Sequence, residues 1–439
     1  MGSVSVAHDL KWIVDSAAGV PVPIRVQAWD GSMAGDSDCA STLVFRHPRA
    51  LRRLLWAPNE LGMARAFVAG ELDVEGDVFG VLDLPDVIAR VAHHHRVGLT
   101  TLERIGAART AWAAGALGLP PAPPAEEVRG RPGRLHSRRR DAASVSHHYD
   151  VSNEFYRLVL GPSMVYSCAY WAQPPSPAYR LDDAQRDKCA LVCSKLGLAP
   201  GTRLLDVGCG WGTLAMHAAA EHDARVVGVT LSAQQALMAR ERVQQAGLAG
   251  AVEIRVQDYR DVTDGPYDAI ASVGMSEHVG GPHLPGYASH LAGLLRPEGR
   301  LLNHAIASVR ALPSTTGRRR GGFIDRYIFP DGQIVPLSVT IDALEQSALE
   351  VRDGEALREH YGLTLRAWVE NLRGNWYRAQ QLVSPPRARA WLLYLAACAL
   401  AFEHGNLTVH QVLAVRQGDR GRSGLPATRA DWLRRDVEV

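Results

Sequence analysis

The run Leu204-Leu205-Asp206-Val207-Gly208-Cys209-Gly210-Trp211-Gly212 holds residue types suited to gripping a small charged ligand. Its apolar residues read as a buried strand, and Asp206 adds a polar group at the strand's carboxyl end. Glycines then follow at alternate positions, so the chain turns tightly and approaches a ligand with no Cβ in the way. A glycine turn at the end of such a strand receives a nucleotide-like cofactor. A dinucleotide pyrophosphate requires G-x-G-x-x-G and an acidic residue near the end of the next strand for its ribose. Here the spacing is G-x-G-x-G, and the second position reads Thr230-Leu231-Ser232. Both departures point away from a dinucleotide. Other reactive side chains look structural. Cys189 and Cys193 stand four apart in a helical pattern with no paired His or Cys motif beside them, which reads as helix packing. His93-His94-His95 cannot all face one ion from a helix, so no metal site is expected.

The glycine turn needs a sheet to hold it. From Ser146 onward the pattern alternates strand and helix, which predicts a doubly wound, mostly parallel α/β sheet. Strands are predicted at Arg203–Val207, Arg225–Thr230, Val252–Gln257, Tyr267–Val273 and Gly299–Ala305, with helices at Ser232–Ala246 and His283–Leu295 between them. Ligands sit at the carboxyl ends of such strands. Asp206–Gly212, Thr230–Leu231, Asp258–Tyr259, Glu277–Gly280 and His304–Ile306 are therefore expected to line one crevice.

The chain is expected to divide into a smaller N-terminal α+β domain over 1–115, a linker over 116–145 and a catalytic domain over 146–439. In the first part, Pro23–Asp30 and Thr42–Arg46 read as strands and Pro48–Ala57 as a helix. The linker is rich in proline and then in arginine, at 129, 131, 134, 138, 139 and 140, which suits an exposed, flexible segment. With 439 residues, 46% of them apolar, and a net charge of +2, the chain supports a real core and does not look like a nucleic-acid binder. Its six cysteines form no disulfide framework. No basic-then-apolar leader opens the sequence, and the apolar run Trp391–Phe402 is too short for a bilayer. The expectation is a soluble protein of a reducing compartment.

Further strings accompany the glycine turn in order. They are Ser167-Cys-Ala-Tyr-Trp171, Val229-Thr-Leu-Ser-Ala-Gln-Gln235, Gln257-Asp-Tyr-Arg260 and Ser272-Val-Gly-Met-Ser-Glu-His-Val-Gly280. Asn303-His-Ala-Ile306, Tyr327-Ile-Phe-Pro-Asp-Gly332, His360-Tyr361 and Thr364-Leu-Arg-Ala-Trp368 complete the set. Together they resemble the cyclopropane-fatty-acyl-phospholipid synthase family, closely over 146–411 and loosely before it. The resemblance implies a Rossmann-like S-adenosylmethionine (SAM) methyltransferase fold. It implies transfer of a methyl group to a cis double bond of a phospholipid acyl chain, followed by deprotonation of the resulting carbocation by bound bicarbonate. Cys168, Glu277, His304, Ile306 and Tyr361 match the family's bicarbonate positions, with Glu277 orienting the anion and raising its basicity. Tyr149, Tyr166, Ser167, Gly208, Gly210, Thr230, Leu231, Gln235, Asp258 and Tyr259 match its SAM positions, Asp258 and Tyr259 at the adenine. Tyr149, Tyr170, Trp171 and Phe323 offer π-faces to the cation. Ser276 stands where the family commonly has Phe, which bears on the substrate and on the fate of the cation.

The segments Ala28-Trp-Asp-Gly-Ser32 and Ala69-Gly-Glu-Leu-Asp-Val-Glu-Gly-Asp77 resemble an actinobacterial branch that makes a 10-methylene product from oleoyl chains, in the tuberculostearic acid pathway. That branch implies a flavin-dependent reductase as partner. Ring closure to a cyclopropane is the alternative product, a non-catalytic lipid-binding homologue the alternative outside enzymes, and a homodimer stays open. A membrane phospholipid substrate places the protein in the cytoplasm, peripheral at the inner face of the membrane, with the arginine-rich linker and Arg318-Arg319-Arg320 as candidate headgroup contacts.

Overall fold

The computed structural model describes residues 5–84, 101–113, 115–128, 137, 138, 140, 152–309 and 322–432. The chain forms two compact units. The first contains a sheet of β1 (Arg25–Gln27), β2 (Met33–Ala34), β3 (Ser41–Phe45) and β4 (Leu72–Gly76), in the order β2-β1-β3-β4. The predicted strand Pro23–Asp30 is cut short because Ala28–Ser32 closes a turn. There the Gly31 N–H bonds Ala28 O at 3.0 Å, and the Asp30 carboxylate accepts from the Ser32 hydroxyl at 2.6 Å. The helix Pro48–Trp56 starts where proline at its first turn and the His47 cap allow.

This unit reaches further than the sequence suggests. It spans residues 1–129 and takes in 321–328 and 384–400 from the distant C-terminal half. Arg389, on the helix Pro385–Glu403, donates to Phe67 O, to Leu72 O and to Asp73 Oδ1 at 2.9 Å. Residues 116–128, expected in the free linker, are anchored. The Glu127 side chain is 1% exposed and accepts from Arg65 Nε and Nη2 at 2.7 Å, from Arg326 and from the Tyr327 hydroxyl at 3.1 Å. A carboxylate this enclosed persists because guanidinium donors fill its lone pairs. The linker arginines at 129, 131, 134 and 139, together with His93–His95 and Arg318–Arg320, lie outside the described residues.

The second unit covers 130–320, 329–383 and 401–439. Its strands are β5 (Arg203–Val207), β6 (Arg225–Thr230), β7 (Val252–Val256), β8 (Tyr267–Val273), β9 (Leu295–Ser308), β10 (Val335–Pro336), β11 (Leu349–Ala356) and β12 (Leu407–Arg416). They run in the order β11-β12-β9-β8-β5-β6-β7, with β10 beside β9. The β9-β8-β5-β6-β7 portion is parallel, whereas β12 is antiparallel to both of its neighbours. Alternate residues feed opposite faces: Leu204, Val226, Ala269 and Leu302 join one core, Leu205, Val227, Ile270 and Leu301 the other. Burial on both faces is what a parallel sheet requires. The strand order reverses between β5 and β8, and that switch point opens the crevice for a ligand. Among the described residues, no helix is long and apolar enough to cross a membrane.

Glu127→Ala strands two guanidinium groups around an emptied pocket. The expected cost is about 3 kcal/mol, read as a lower urea midpoint for the first unit; an unchanged midpoint would show the anchor to be idle.

Candidate active site

A cavity of about 410 Å³ lies at the carboxyl ends of β5, β6, β7 and β8. The glycine turn forms its floor. Gly208 turns at φ +79°, where a Cβ would meet Met275 Sδ at 2.5 Å. Gly210 turns at φ +54° with nothing within 4 Å of the place a Cβ would take, so its backbone faces open space. Tyr166, Ser167, Gly208, Gly210, Thr230, Leu231, Gln235 and Tyr259 all line the cavity. The Thr230 hydroxyl donates to Gln235 Oε1 at 2.9 Å, which fixes the helix residue against the strand end. Tyr259 stands edge-on to Tyr287, their ring centres 4.7 Å apart. Tyr149 lies outside the described residues. Asp258 is set behind the wall, with both carboxylate oxygens bonded by Arg260; Gln257, Tyr259 and Arg260 are the residues of that strand end that face the cavity.

Two buried charged residues complete the lining. The sequence places Asp206 in the crevice without a role, and it passes over Lys188 because a lone lysine in a helical pattern resembles a solvated residue. Both are 2% exposed. Lys188 Nζ donates to Ser167 Oγ at 3.2 Å, and Asp206 Oδ2 has no hydrogen-bond partner among the described residues. Burial pushes the Asp206 carboxyl up to about 7, with the nearby Lys188 pulling the other way. An unpartnered acceptor beside a lone ammonium suits a ligand carrying both a cationic group and a carboxylate, and SAM carries both.

Three of the residues expected at the anion site, Glu277, His304 and Ile306, come together along β9. His304 and Ile306 alternate along β9 and so share a face of the strand. Glu277, on the short helix Ser276–Val279, accepts the Ile306 N–H at Oε1 over 2.6 Å. That N–H is thus spent on Glu277. Glu277 Oε2 and His304 Nε2 are shielded from solvent and have no partner among the described residues. Burial raises the Glu277 carboxyl to about 7, opposed by the Ile306 N–H, and lowers the His304 imidazole to about 3, so the ring is neutral. An acceptor and a ring nitrogen, both unsatisfied, fit an ion that donates one O–H and accepts elsewhere. Bicarbonate has that form. The Glu277 loop is strapped from outside: Gln333 N–H donates to Glu277 O and its Oε1 accepts the Gly281 N–H, each at 2.8 Å. Ser276, 4% exposed, spends its hydroxyl on Asn303 Oδ1 at 2.9 Å.

Cys168 is buried, its thiol pushed well up by burial, and its Sγ bonds Ala169 O at 3.2 Å. Tyr361 packs edge-on against Trp368 with centres 6.0 Å apart, and Trp368 lies 5.4 Å from Tyr166 on the cavity wall. Of the rings expected near a cation, Tyr170 is stacked on His360 at 5.1 Å, Trp171 meets Tyr179, and Phe323 belongs to the first unit beside Tyr327. The paired histidines missing from the sequence around Cys193 come from the next helix. Cys193 Sγ and ring nitrogens of His217 and His222 lie within 4.8 Å of one another. Three such atoms so close together form a grouping that could hold a metal ion.

Residues 136–412 match the family described as mycolic acid cyclopropane synthetase. The chain belongs to this family. Members are SAM-dependent lipid methyltransferases, and the parallel sheet with its glycine turn is the fold they share. Among relatives, a probable fatty acid methyltransferase of Mycobacterium tuberculosis is 41% identical over 92% of this chain and 93% of its own. A tuberculostearic acid methyltransferase of the same organism is 33% identical over 90% of this chain and 88% of its own. The Escherichia coli cyclopropane-fatty-acyl-phospholipid synthase is 38% identical over 65% of this chain and 71% of its own. A mycolic acid cyclopropane synthase solved with SAH and CTAB superposes with a TM-score of 0.58 at 34% identity, covering 62% of this chain and 97% of that one.

For this family member, the Glu277 shift has a sign that can be measured. Burial holds the folded carboxyl at about 7 against 4.5 for a free glutamate, so the group's contribution to stability is whole below 4.5 and is lost as pH rises through 7. Glu277→Gln cannot ionise. The ligand-free variant is expected to exceed wild type by about 2–3 kcal/mol at pH 8 and to match it near pH 4.5. Chemical denaturation at both pH values checks this, and an equal difference at the two would contradict it.

Proposed function

We propose that this chain transfers the methyl of SAM to the cis double bond of an oleoyl phospholipid and yields a 10-methylene acyl product. The observation that carries the reading is the pairing of a cofactor cavity with a separate cluster in which Glu277 Oε2 and His304 Nε2 are both left unsatisfied. SAM, when bound, supplies an electrophilic methyl. The glycine turn, Lys188 and Asp206 would hold and orient it, with Tyr259 and Leu231 on the cavity wall available to its adenosine part. An alkene is a weak nucleophile, so the residues contribute chiefly by fixing distance and excluding water. Methyl transfer leaves a positive charge on the acyl chain, and the ring of Tyr166, which lines the cavity, would offer a π-face to it. Bicarbonate held by Glu277, His304 and Tyr361 would supply the base that removes the proton. Glu277 then accepts the ion's O–H while neutral His304 donates to it.

The new methyl loses the proton on either route, and what happens to the cation beforehand sets the product. If the methyl carbon bonds directly to the cationic carbon as its proton leaves, a ring closes; if a hydride first shifts from the methyl-bearing carbon to the cationic one, the same proton loss leaves the exocyclic methylene. The relatives that also cover the N-terminal unit carry methyltransferase names, whereas the cyclopropane synthase of E. coli matches 65% of this chain. That pattern supports the branch. A methylene product calls for a separate hydride-donating reductase to saturate it. Attachment to the membrane surface rests on exposed apolar side chains of the first unit, where Trp56 is 59% and Leu119 84% exposed. The two described linker arginines are already paired, Arg138 with Asp261 and Arg140 with Asp331.

Incubation with SAM, bicarbonate and oleoyl phospholipid vesicles, followed by proton NMR of the lipid, tests the reading; cosedimentation with the same vesicles tests the attachment. Exocyclic vinyl protons are the expected result, and high-field ring protons would replace the methylene reading with ring closure. Glu277→Gln is expected to bind SAM normally and to lose turnover by at least 100-fold. Near-normal turnover would remove Glu277 from the mechanism.

A further inference from the structure

We infer that Gln411, anchored by Lys195, locks the proton of His304 onto Nε2 and so makes the unpartnered end of the ring a hydrogen-bond donor. This deepens the proposed function and rests on its reading of the Glu277–His304 cluster. Gln411 lies on β12 directly opposite His304 on β9 in the antiparallel register, and it is completely buried. Its Nε2 is 3.3 Å from His304 Nδ1, and its Oε1 is 2.9 Å from Lys195 Nζ. Lys195 is itself 1% exposed and is ion-paired with Glu355 Oε2 at 2.5 Å, with Asp353 Oδ2 at 3.7 Å.

The chemistry runs one way along this row. A lysine ammonium donates and never accepts. The amide end facing it must be the oxygen, and the pairing with Glu355 holds the lysine in place. The other end of the amide is then NH₂, which only donates. His304 Nδ1 must offer it a lone pair. A neutral imidazole carries one proton, so that proton rests on Nε2. Burial and the positive charges of Lys188 and Lys195 keep the ring neutral. The result is an N–H carried by a ring whose other side is fixed, while Glu277, bonded to Ile306 two residues along β9, keeps its Oε2 as an unpaired acceptor. Gln411 is a positioning residue: it acts through His304 and touches no reacting atom.

The row also explains two features the sequence does not announce. A lysine in the last turn of the helix Leu181–Leu196 is buried at 1% exposure, and a glutamine sits completely buried in the strand Leu407–Arg416. Each is costly to bury alone, and the bond between them meets part of that cost, with Glu355 completing the lysine's partners and His304 the glutamine's.

The test is the tautomer itself, read from nitrogen chemical shifts of the full chain labelled at histidine, with His304→Asn identifying the signal. Wild type is expected to show a protonated Nε2 and a bare Nδ1 at pH 7. Gln411→Glu presents a carboxylate to Nδ1 and is expected to move the proton there, with SAM affinity kept and kcat lowered on the order of 100-fold. Gln411→Leu removes the directing group and is expected to give a mixture of tautomers. A wild-type proton on Nδ1, or a tautomer unmoved by both substitutions, would overturn the inference. A confirmed Nε2 proton alongside turnover that ignores bicarbonate would uphold the positioning and sink the anion reading instead.

Discussion

The structure of the site depends on one shared hydrogen bond. Glu277 gives a single carboxylate oxygen to the Ile306 N–H at 2.6 Å and leaves the other shielded and unpaired. Leaving a buried acceptor empty is expensive, and most of the surrounding architecture is arranged around that cost. β9 offers Glu277 the Ile306 N–H and carries His304 two residues away, β12 backs His304 with Gln411, and the 329–333 loop pins the Glu277 turn through Gln333. The parallel sheet delivers all of this at the carboxyl edge of its strands, beside the glycine turn.

The electrostatics share a theme. Asp206 and Glu277 are both held near 7 by burial, and His304 is held neutral. Carboxylates so poised respond strongly to what arrives. A cationic group offered to Asp206 favours its charged form, and an O–H offered to Glu277 does the same. Among the described residues, Asp206 Oδ2 and Glu277 Oε2 have no hydrogen-bond partner, and under the proposed function a cationic cofactor and a proton-bearing anion would supply one to each.

Much of this was legible in the sequence, for identifiable reasons. The strands Arg203–Val207, Arg225–Thr230 and Tyr267–Val273 have the predicted bounds because short apolar runs between glycine and charged breaks leave little choice of register. The antiparallel pair β11 and β12 was not anticipated: β11 reads Leu-Glu-Val-Arg-Asp-Gly-Glu-Ala, whose charges hide a strand buried on one side. Lys188 and Glu127 escaped notice for the same reason. A single charge in a helix or a proline-rich stretch looks solvated, and only the fold reveals that partners from distant segments enclose it. Gln411 carries no local signal at all, since its meaning arises from a pairing across more than one hundred residues of chain.

The measurement that bears most directly on the account is turnover of oleoyl phospholipid by the purified protein in buffer stripped of carbon dioxide, before and after bicarbonate is returned. The account expects turnover to fall to a small residue and to recover in a saturable way on adding bicarbonate, while SAM binding stays constant throughout. Full turnover in the stripped buffer would contradict it and would assign the proton to a side chain of the protein.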